Sequence, residues 1–340
     1  MVATLLLGSG AAVIPASGAA VIPASGDVGN VDPLAAPNTA SWSTKCSYSK
    51  QTSPADPIRE FGSPGTMMHS FFGADGVTRT TTPADLRART SNFCAVSVND
   101  PLHPRVMIPD NSAYWYPALY TTRAKRTGVN PFYLLSYYRN AFLDPQTIRP
   151  FPRDLAMVGG DSKATTRQVS NVAYVCIARS DQSRSRTTIP ATCPIQNRDN
   201  PPVPYTLRAT VAFPNCVRSD ASLPNYTHRM TYAVANPAFP ANSVWPLICP
   251  GRYSPIPQIS IAARWPLTAF PVVNGRYDLT GATLSSDLMM MQDGTITGGH
   301  GTTLHADFMS GWTAPDIKSL VTNCFHLAQI NCGAFGNGNP

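Results

Sequence analysis

Two ionisable side chains lie two residues apart near the C-terminal end of the chain. His305 and Asp307 belong to the apolar segment LHADF, which predicts a short strand. In a strand, side chains two apart point to the same face, so the imidazole and the carboxylate would be neighbours. A carboxylate orients a histidine ring and raises its basicity. We therefore predict His305 as an acid-base group oriented by Asp307. The structural alternative is a hydrogen bond that only pins the last strand.

Two further polar residues complete the candidate catalytic set. His69 follows the turn at 63–65 and precedes two phenylalanines, and we predict it as a second polar contact at the same site. A buried structural histidine is the alternative. Arg139 is predicted to stabilise negative charge there, as a guanidinium does in many active sites.

Aromatic residues are plentiful in the central third of the chain, and a concave sheet face that carries them would stack on sugar rings. The predicted ligand-binding residues are Tyr114, Tyr138, Asp161, His228 and Trp312. Alternation places Tyr114 and Tyr116 on one face of a strand and Trp115 on the other, so at least one of these sets is expected in the core.

The elements that must position these residues are mainly strands. Thirty-three prolines and 23 glycines in 340 residues disfavour a helical fold. Alternating or β-branched runs predict strands at 94–98, 113–120, 132–138, 169–177, 205–213, 228–234, 259–265 and 305–308. One helix is predicted from Pro315 to Leu327. The fold class is therefore all-β: an antiparallel two-sheet sandwich or jelly roll, with long disulfide-stapled loops and a short C-terminal helix.

Eight cysteines form no C-x-x-C pair and no zinc-type cluster. We predict disulfides between cysteines adjacent in sequence, because each such pair closes a loop that a hairpin or an Ω-loop can accommodate. The pairs are Cys46–Cys94, Cys176–Cys193, Cys216–Cys249 and Cys324–Cys332. Disulfides on this scale indicate an oxidising compartment.

The first residues predict export. Residues 1–26 are apolar and contain the octapeptide AAVIPASG twice, at 11–18 and 19–26, as in the tail of a signal peptide. Residues 27–43 are predicted to form a linker, and residues 44–334 a single β-rich domain. The protein is therefore expected outside the cell or at the cell wall.

Charge and motifs exclude several classes of function. The net charge of +7 comes from scattered basic residues, whereas a nucleic-acid binder concentrates them on one stripe, so no nucleic-acid partner is expected. No apolar run is long enough to insert into a membrane. P-loop, dinucleotide, H-E-x-x-H and G-x-S-x-G motifs are missing from the sequence, and we expect no cofactor and no metal. The oligomeric state cannot be predicted.

Six motifs in order resemble one known family. They are GSPGTMMHSFFG at 62–73, NSAYWYPALY at 111–120, YYRN at 137–140, MVGGDS at 157–162, FPNC at 213–216 and LHADFMSGW at 304–312. Together they are similar to the secreted family catalogued as domain of unknown function 1996, over about Cys46 to Cys332. The resemblance implies secretion and this fold. The family usually has H-x-H where this chain has Met67 and His69, and histidines near Arg229 and Tyr253, so several family imidazoles are replaced.

Two functions from different classes follow. The first is a secreted carbohydrate-active protein that binds a cell-wall or extracellular polysaccharide in an aromatic-lined groove, with cleavage as a glycoside hydrolase or polysaccharide lyase left open. The second is a non-enzymatic extracellular structural or adhesive module with a degenerate site.

Overall fold

The computed structural model describes residues 40–89, 94–99, 104–122, 128–168, 170–177, 187–195, 205–218, 229–238, 245–288 and 299–327. These residues form an antiparallel all-β structure, as predicted. Its strands are β1 Ser41–Ser53, β2 His69–Gly73, β3 Cys94–Asn99, β4 Pro104–Pro109, β5 Ala113–Pro117, β6 Leu119–Tyr120, β7 Tyr133–Arg139, β8 Ala156–Gly160, β9 Val172–Ile177, β10 Thr192–Pro194, β11 Thr206–Ala212, β12 Cys216–Val217, β13 Met230–Thr231, β14 Val234–Ala235, β15 Leu247–Ile248, β16 Ser254–Pro255, β17 Gln258–Pro266, β18 Val272–Val273, β19 Arg276–Asp278, β20 Thr283–Leu284 and β21 His305–Met309.

The main sheet has the order β8-β21-β5-β2-β1-β7-β17-β11-β9, with the β3–β4 hairpin attached to β1. Strand β1 divides it into two halves. Residues 41–47 of β1 pair with β7, whereas the second half pairs with β2 from Tyr48 to Ser53, and the register shifts between Tyr48 and Thr52. A strand that changes partners at an irregularity turns the corner between two packed layers. The predicted two-sheet sandwich is confirmed, and β1 belongs to both layers.

The principal core fills the space between the layers. Tyr116 of β5 contacts Trp265 of β17 edge to face, with ring centroids 5.8 Å apart. The Tyr116 hydroxyl also crosses the core and donates to the Ile261 carbonyl at 2.7 Å. Both side chains are almost fully buried, so an inter-layer hydrogen bond lies inside an aromatic core where an unpaired hydroxyl would be costly.

A second, smaller core covers the outer face of β2, β5 and β21. Phe71, Trp115 and Met309 on these strands pack with Leu86 of helix α1, Pro83–Arg87. The chain between β1 and β3 forms this cover, and its side chains Ala55 and Ile58 also pack here. Because both faces of the layer are buried, Tyr114 and Trp115 are both core residues although they point in opposite directions.

Three of the four predicted disulfides are confirmed by direct bonds. They join Cys46 to Cys94, Cys176 to Cys193 and Cys216 to Cys249. Cys324 is also disulfide-bonded, and its predicted partner Cys332 lies outside the described residues.

The predicted C-terminal helix starts one residue early and ends sooner. Helix α2 spans Ala314–Leu320 and continues as a wider turn over Val321–Phe325. Its N-cap is Thr313, whose hydroxyl accepts the Asp316 N–H, and proline occupies the first turn.

Most predicted strands lie within one or two residues of the observed ones. Strands β1, β2 and β8 were not predicted, because serine- and glycine-rich stretches carry little alternation. Strand β4 and the strands of two or three residues β10, β12, β15, β16, β18, β19 and β20 were not predicted either. The signal-like segment 1–26 lies outside the described residues, whereas Ser41 to Ser43 of the predicted linker belong to β1. Within the described part of the chain, no helix has the length and apolar character needed to span a membrane.

Candidate functional site

Three of the predicted site residues meet on the outer face of the β2–β5–β21 layer. His69 begins β2 and His305 begins β21, with β5 between them. The two imidazole centroids are 6.0 Å apart, and His305 Nε2 lies 3.8 Å from Asp307 Oδ2. One ligand atom from each of the three residues lies within 4.8 Å of the other two. Same-face alternation in β21, used above to pair His305 with Asp307, is therefore confirmed.

Backbone carbonyls fix the orientation of both imidazoles. His69 Nδ1 lies 3.1 Å from the Ala55 carbonyl, and His305 Nδ1 lies 3.0 Å from the Thr303 carbonyl. A carbonyl oxygen only accepts, so each Nδ1 carries the proton and donates it. In a neutral ring this leaves the lone pair on Nε2. Both Nε2 atoms therefore present acceptor lone pairs to the cluster.

The environment favours the uncharged forms of all three groups. Burial lowers the pKa of His69 to about 4. Burial, with the His69 and Arg59 charges, lowers the pKa of His305 well below its usual value. The pKa of Asp307 is raised well above its usual value, chiefly by burial and secondly by the Asp56 carboxylate.

The cluster is closed from solvent. His69, His305 and Asp307 have no exposed surface. The segment 54–68 between β1 and β2 supplies part of the enclosure, and its Arg59 donates to the Ser162 hydroxyl at 2.6 Å. All three side chains are enclosed in this structure, so their predicted roles in an open glycan groove stay a prediction.

The predicted sugar-stacking aromatics belong to the principal core. Tyr114 and Tyr138 are fully buried, and both hydroxyls donate to Asp110 Oδ2, at 2.6 and 3.3 Å. Trp312 Nε1–H donates to the Tyr138 hydroxyl at 3.2 Å. Their polar atoms are thus used inside the molecule around Asp110, a residue the sequence did not single out. The three residues form a buried hydrogen-bond network in this structure, and their predicted contact with a sugar stays a prediction.

One edge of Trp312 contributes to a surface pocket of about 260 Å³. Phe151, Arg87 and Arg153 also line it. Arg87 is engaged there by Asp154, at 2.6 Å. Trp312 is only 4% exposed, so its indole face is not offered to a ligand.

Two of the remaining predicted residues, Asp161 and Arg139, do not join the cluster. Asp161 is exposed in a turn, where its carboxylate accepts the Lys163 N–H. Arg139 lies at the end of β7, in the other layer of the sandwich. His228 lies outside the described residues.

Arg139 instead belongs to a basic and aromatic surface on the outer face of β1, β7, β17 and β11, which we call the arginine face. Its guanidinium stacks over Tyr137 at 4.7 Å. Tyr133 lies under two cations, with Lys45 at 4.7 Å and Arg264 at 5.6 Å from its ring centroid. Arg264 pairs across the sheet with Arg208. The residues that make up this face are Lys45, Tyr133, Tyr137, Arg139, Arg208 and Arg264.

Among the described residues of these four strands, those that point to the arginine face include no aspartate and no glutamate. Burial lowers the pKa of Arg139, and burial together with the Arg264 charge lowers that of Arg208. Like charges are thus held close together on a partly buried surface. The period-two spacing of Tyr133, Tyr137 and Arg139 was visible in the sequence, but the alignment of β7 with Arg264 and Arg208 was not, because register between distant strands is not encoded locally.

Comparison with known proteins gives one result for the chain. The family described as Domain of unknown function (DUF1996) matches residues 56–312. The chain belongs to this family. The DUF1996 region contains the three residues of the buried cluster and all four strands β8, β21, β5 and β2, whereas β1 and α2 lie outside it. No curated protein and no solved structure matches the chain.

Proposed function

We propose that the protein is an extracellular protein that binds an acidic polysaccharide on the arginine face. The observation that carries the proposal is the cluster of Arg139, Arg208, Arg264 and Lys45 around two tyrosine rings on one sheet face. Among the described residues of β1, β7, β17 and β11, those on this face include no aspartate and no glutamate.

The chemistry of this face matches a polyanion made of rings. Tyrosine offers an apolar ring with a polar edge, on which a pyranose can stack. Guanidinium groups bind carboxylate or sulfate through two parallel hydrogen bonds. Their partly buried state strengthens that attraction, since water screens it less. A neutral glucan would gain only the stacking contacts.

The extracellular placement is supported by the disulfides. The three described bonds and the bonded Cys324 are of the kind that persists in an oxidising compartment. The basic net charge of +7 adds attraction toward an anionic wall polymer.

The test is affinity electrophoresis and calorimetry with a polyuronate, a neutral glucan and duplex DNA. We expect retention by the polyuronate that weakens with added salt, little retention by the glucan, and at least about tenfold weaker polyuronate binding in the double variant Arg139→Gln/Arg264→Gln, which is roughly 1.4 kcal/mol. Arg153→Gln, 83% exposed outside this face, is the matched control and should bind normally. Equal binding by the double variant and the control, or tighter binding of DNA than of the polyuronate, would overturn the proposal.

A second candidate function, the non-enzymatic structural or adhesive module, is favoured by the burial of His305 and Asp307. It shares the absence of catalysis with our proposal, so a reducing-end assay on the polyuronate should stay at background in both cases. It differs in ligand binding. A module that only holds other parts together would retain none of the three polymers.

A further inference from the structure

The His69, His305 and Asp307 cluster contains four buried polar atoms that lack a hydrogen-bond partner in the described structure. They are Nε2 of His69, Nε2 of His305 and both carboxylate oxygens of Asp307. Their residues have no solvent-exposed surface. Buried polar atoms are normally satisfied, so four of them in three neighbouring residues need an explanation.

The atoms share one chemical character. Each Nε2 holds a lone pair because its Nδ1 proton is donated to a backbone carbonyl, of Ala55 or of Thr303. When Asp307 is ionised, both of its oxygens are acceptors as well. The ionised cluster then contains only acceptors, which repel one another unless a proton or another cation lies among them. A proton on His305 Nε2 would not make a good hydrogen bond to Asp307, since the 3.8 Å between Nε2 and Oδ2 exceeds hydrogen-bond length.

We infer that His69 Nε2, His305 Nε2 and the Asp307 carboxylate bind one divalent transition-metal ion, with zinc as the representative. Two imidazoles and one carboxylate suit zinc and the other nitrogen-binding metals, whereas magnesium and calcium prefer oxygen alone. An imidazole that donates its other N–H to a carbonyl is the usual arrangement of a metal-ligating histidine.

The spacing requires only a small contraction. Ligands at about 2.0–2.2 Å from a tetrahedral zinc are separated from one another by roughly 3.3–3.6 Å. The three ligand atoms lie within 4.8 Å of one another, and one pair is already at 3.8 Å. Side-chain rotations that move the ligand atoms by about 1 Å therefore bring them to bonding distance from the metal. Three protein ligands would leave a fourth position for water or a small exogenous ligand.

The surroundings hold the ligands for this role. Phe71 lies two residues after His69 on the same face, and its ring contacts Trp115 at 5.5 Å, which gives the cluster a rigid apolar border. Segment 54–68 covers it and brings both the Asp56 carboxylate and the Arg59 guanidinium near Asp307.

The inference is tested on the full chain purified without chelators. Elemental analysis should find close to one transition-metal ion per chain, and zinc added to chelator-stripped protein should raise the melting temperature. Cobalt in place of zinc should give the absorption bands of a nitrogen- and oxygen-ligated site.

Asp307→Asn is the sharpest variant, since it keeps the shape of the side chain and removes the anionic ligand. It should bind zinc at least about 100-fold more weakly, as should His69→Gln, because even groups that only support a ligand change affinity by about 10–100-fold. His326→Gln is the matched control, since His326 Nε2 donates to the Ile148 carbonyl away from the cluster, and it should bind as the unaltered chain does. A chain that folds, carries no stoichiometric metal and gains no stability from zinc would overturn the inference, as would equal affinity in Asp307→Asn and the control. Polyuronate retention is measured separately, so failure of either proposal leaves the other standing.

Discussion

Asp110 shows how one buried carboxylate organises the aromatic core. It accepts the hydroxyls of Tyr114 and Tyr138 through Oδ2 and the Ser112 N–H through Oδ1. These bonds favour the charged form, but burial is the larger effect and raises the pKa of Asp110 above its ordinary value of 3.8. The native state therefore holds this proton more tightly than the unfolded state does.

The first prediction concerns Asp110→Asn and pH. A raised native pKa contributes stability that is fully present below 3.8 and is lost as the pH rises through the raised value. The free energy of unfolding of the unaltered chain, measured against that of Asp110→Asn by urea titration, should therefore fall as the pH rises. Asp278→Asn is a control of opposite sign, because hydrogen bonds from Thr280 lower the pKa of the partly exposed Asp278. The unaltered chain should have a larger free energy of unfolding than Asp278→Asn above pH 3.8, and this difference should vanish in acid. If the difference in free energy of unfolding from the unaltered chain changed in the same direction with pH for both variants, the prediction would be wrong.

The second prediction separates core tyrosines from surface tyrosines. Tyr138→Phe removes a buried hydroxyl that bonds Asp110 and accepts the Trp312 N–H. We expect it to lower the free energy of unfolding by about 1–3 kcal/mol, because the buried partners lose a bond. Tyr137→Phe, its partly exposed neighbour, should cost less than about 0.5 kcal/mol. Chemical denaturation of the two variants measures the contrast, and comparable losses would place both rings in the same environment.

The residue types at the candidate site could be predicted, but their exposure could not. His69, His305 and Asp307 were predicted together and do lie together, because two of them share a strand and side-chain alternation is local. That a layer has both faces covered depends on where segment 54–88 folds back, which is a long-range event. For the same reason Trp115 and Tyr114 could not both be assigned to the core from their spacing.

At the level of elements, β8 and β21 approach each other too closely for a side chain. Gly160 pairs with His305 and has φ +75°. A Cβ at Gly160 would lie 2.4 Å from the Leu304 carbonyl oxygen and 2.9 Å from the Cα of His305. Only glycine tolerates both the backbone conformation and the contact.

The third prediction is that Gly160→Ala destabilises the fold and displaces His305. The matched control is Gly62→Ala, at φ +74° with nothing within 4 Å of its Cβ. Both variants carry the conformational cost, so their difference reports the close contact. We expect Gly160→Ala to unfold more easily than Gly62→Ala by about 1–3 kcal/mol and to weaken zinc binding, which Gly62→Ala leaves unchanged. Equal melting temperatures would show that β8 moves away freely.

Helix α2 and the longer strands β5, β7, β9, β11, β17 and β21 could be predicted because their signals are local. Pro315 and Asp316 mark the start of the helix within one residue. Strand β1 escaped prediction because SWSTKCSYSK carries mostly serine and other polar residues on its outward positions, with few β-branched residues among them. Its length is set by pairing with β7, β2 and β3, which are all distant in sequence.

For the whole molecule, the disulfides are a large part of the stability. The fourth prediction compares two double variants. Cys46→Ala/Cys94→Ala opens a loop with a sequence separation of 48 and should cost about 4 kcal/mol. Cys176→Ala/Cys193→Ala opens one of 17 and should cost about 3 kcal/mol. Both are upper values from chain entropy. Urea unfolding measures the free energy that each double variant loses. A larger loss for the shorter loop would show that packing rather than loop closure determines the stability that each disulfide contributes. Alkylation of the denatured, unreduced chain should label no cysteine.

The two-partner role of β1 has a consequence for where this domain can be cut. The family match begins at residue 56, three residues after the end of the strand that pairs with β7 on one side and β2 on the other. A fragment trimmed to the matched range would lose half of the Cys46–Cys94 bridge and leave both layers with an open edge inside the sandwich. Open edges of that kind pair with other chains and aggregate. A fragment that keeps both layers closed therefore has to begin no later than Ser41, so that β1 is carried along.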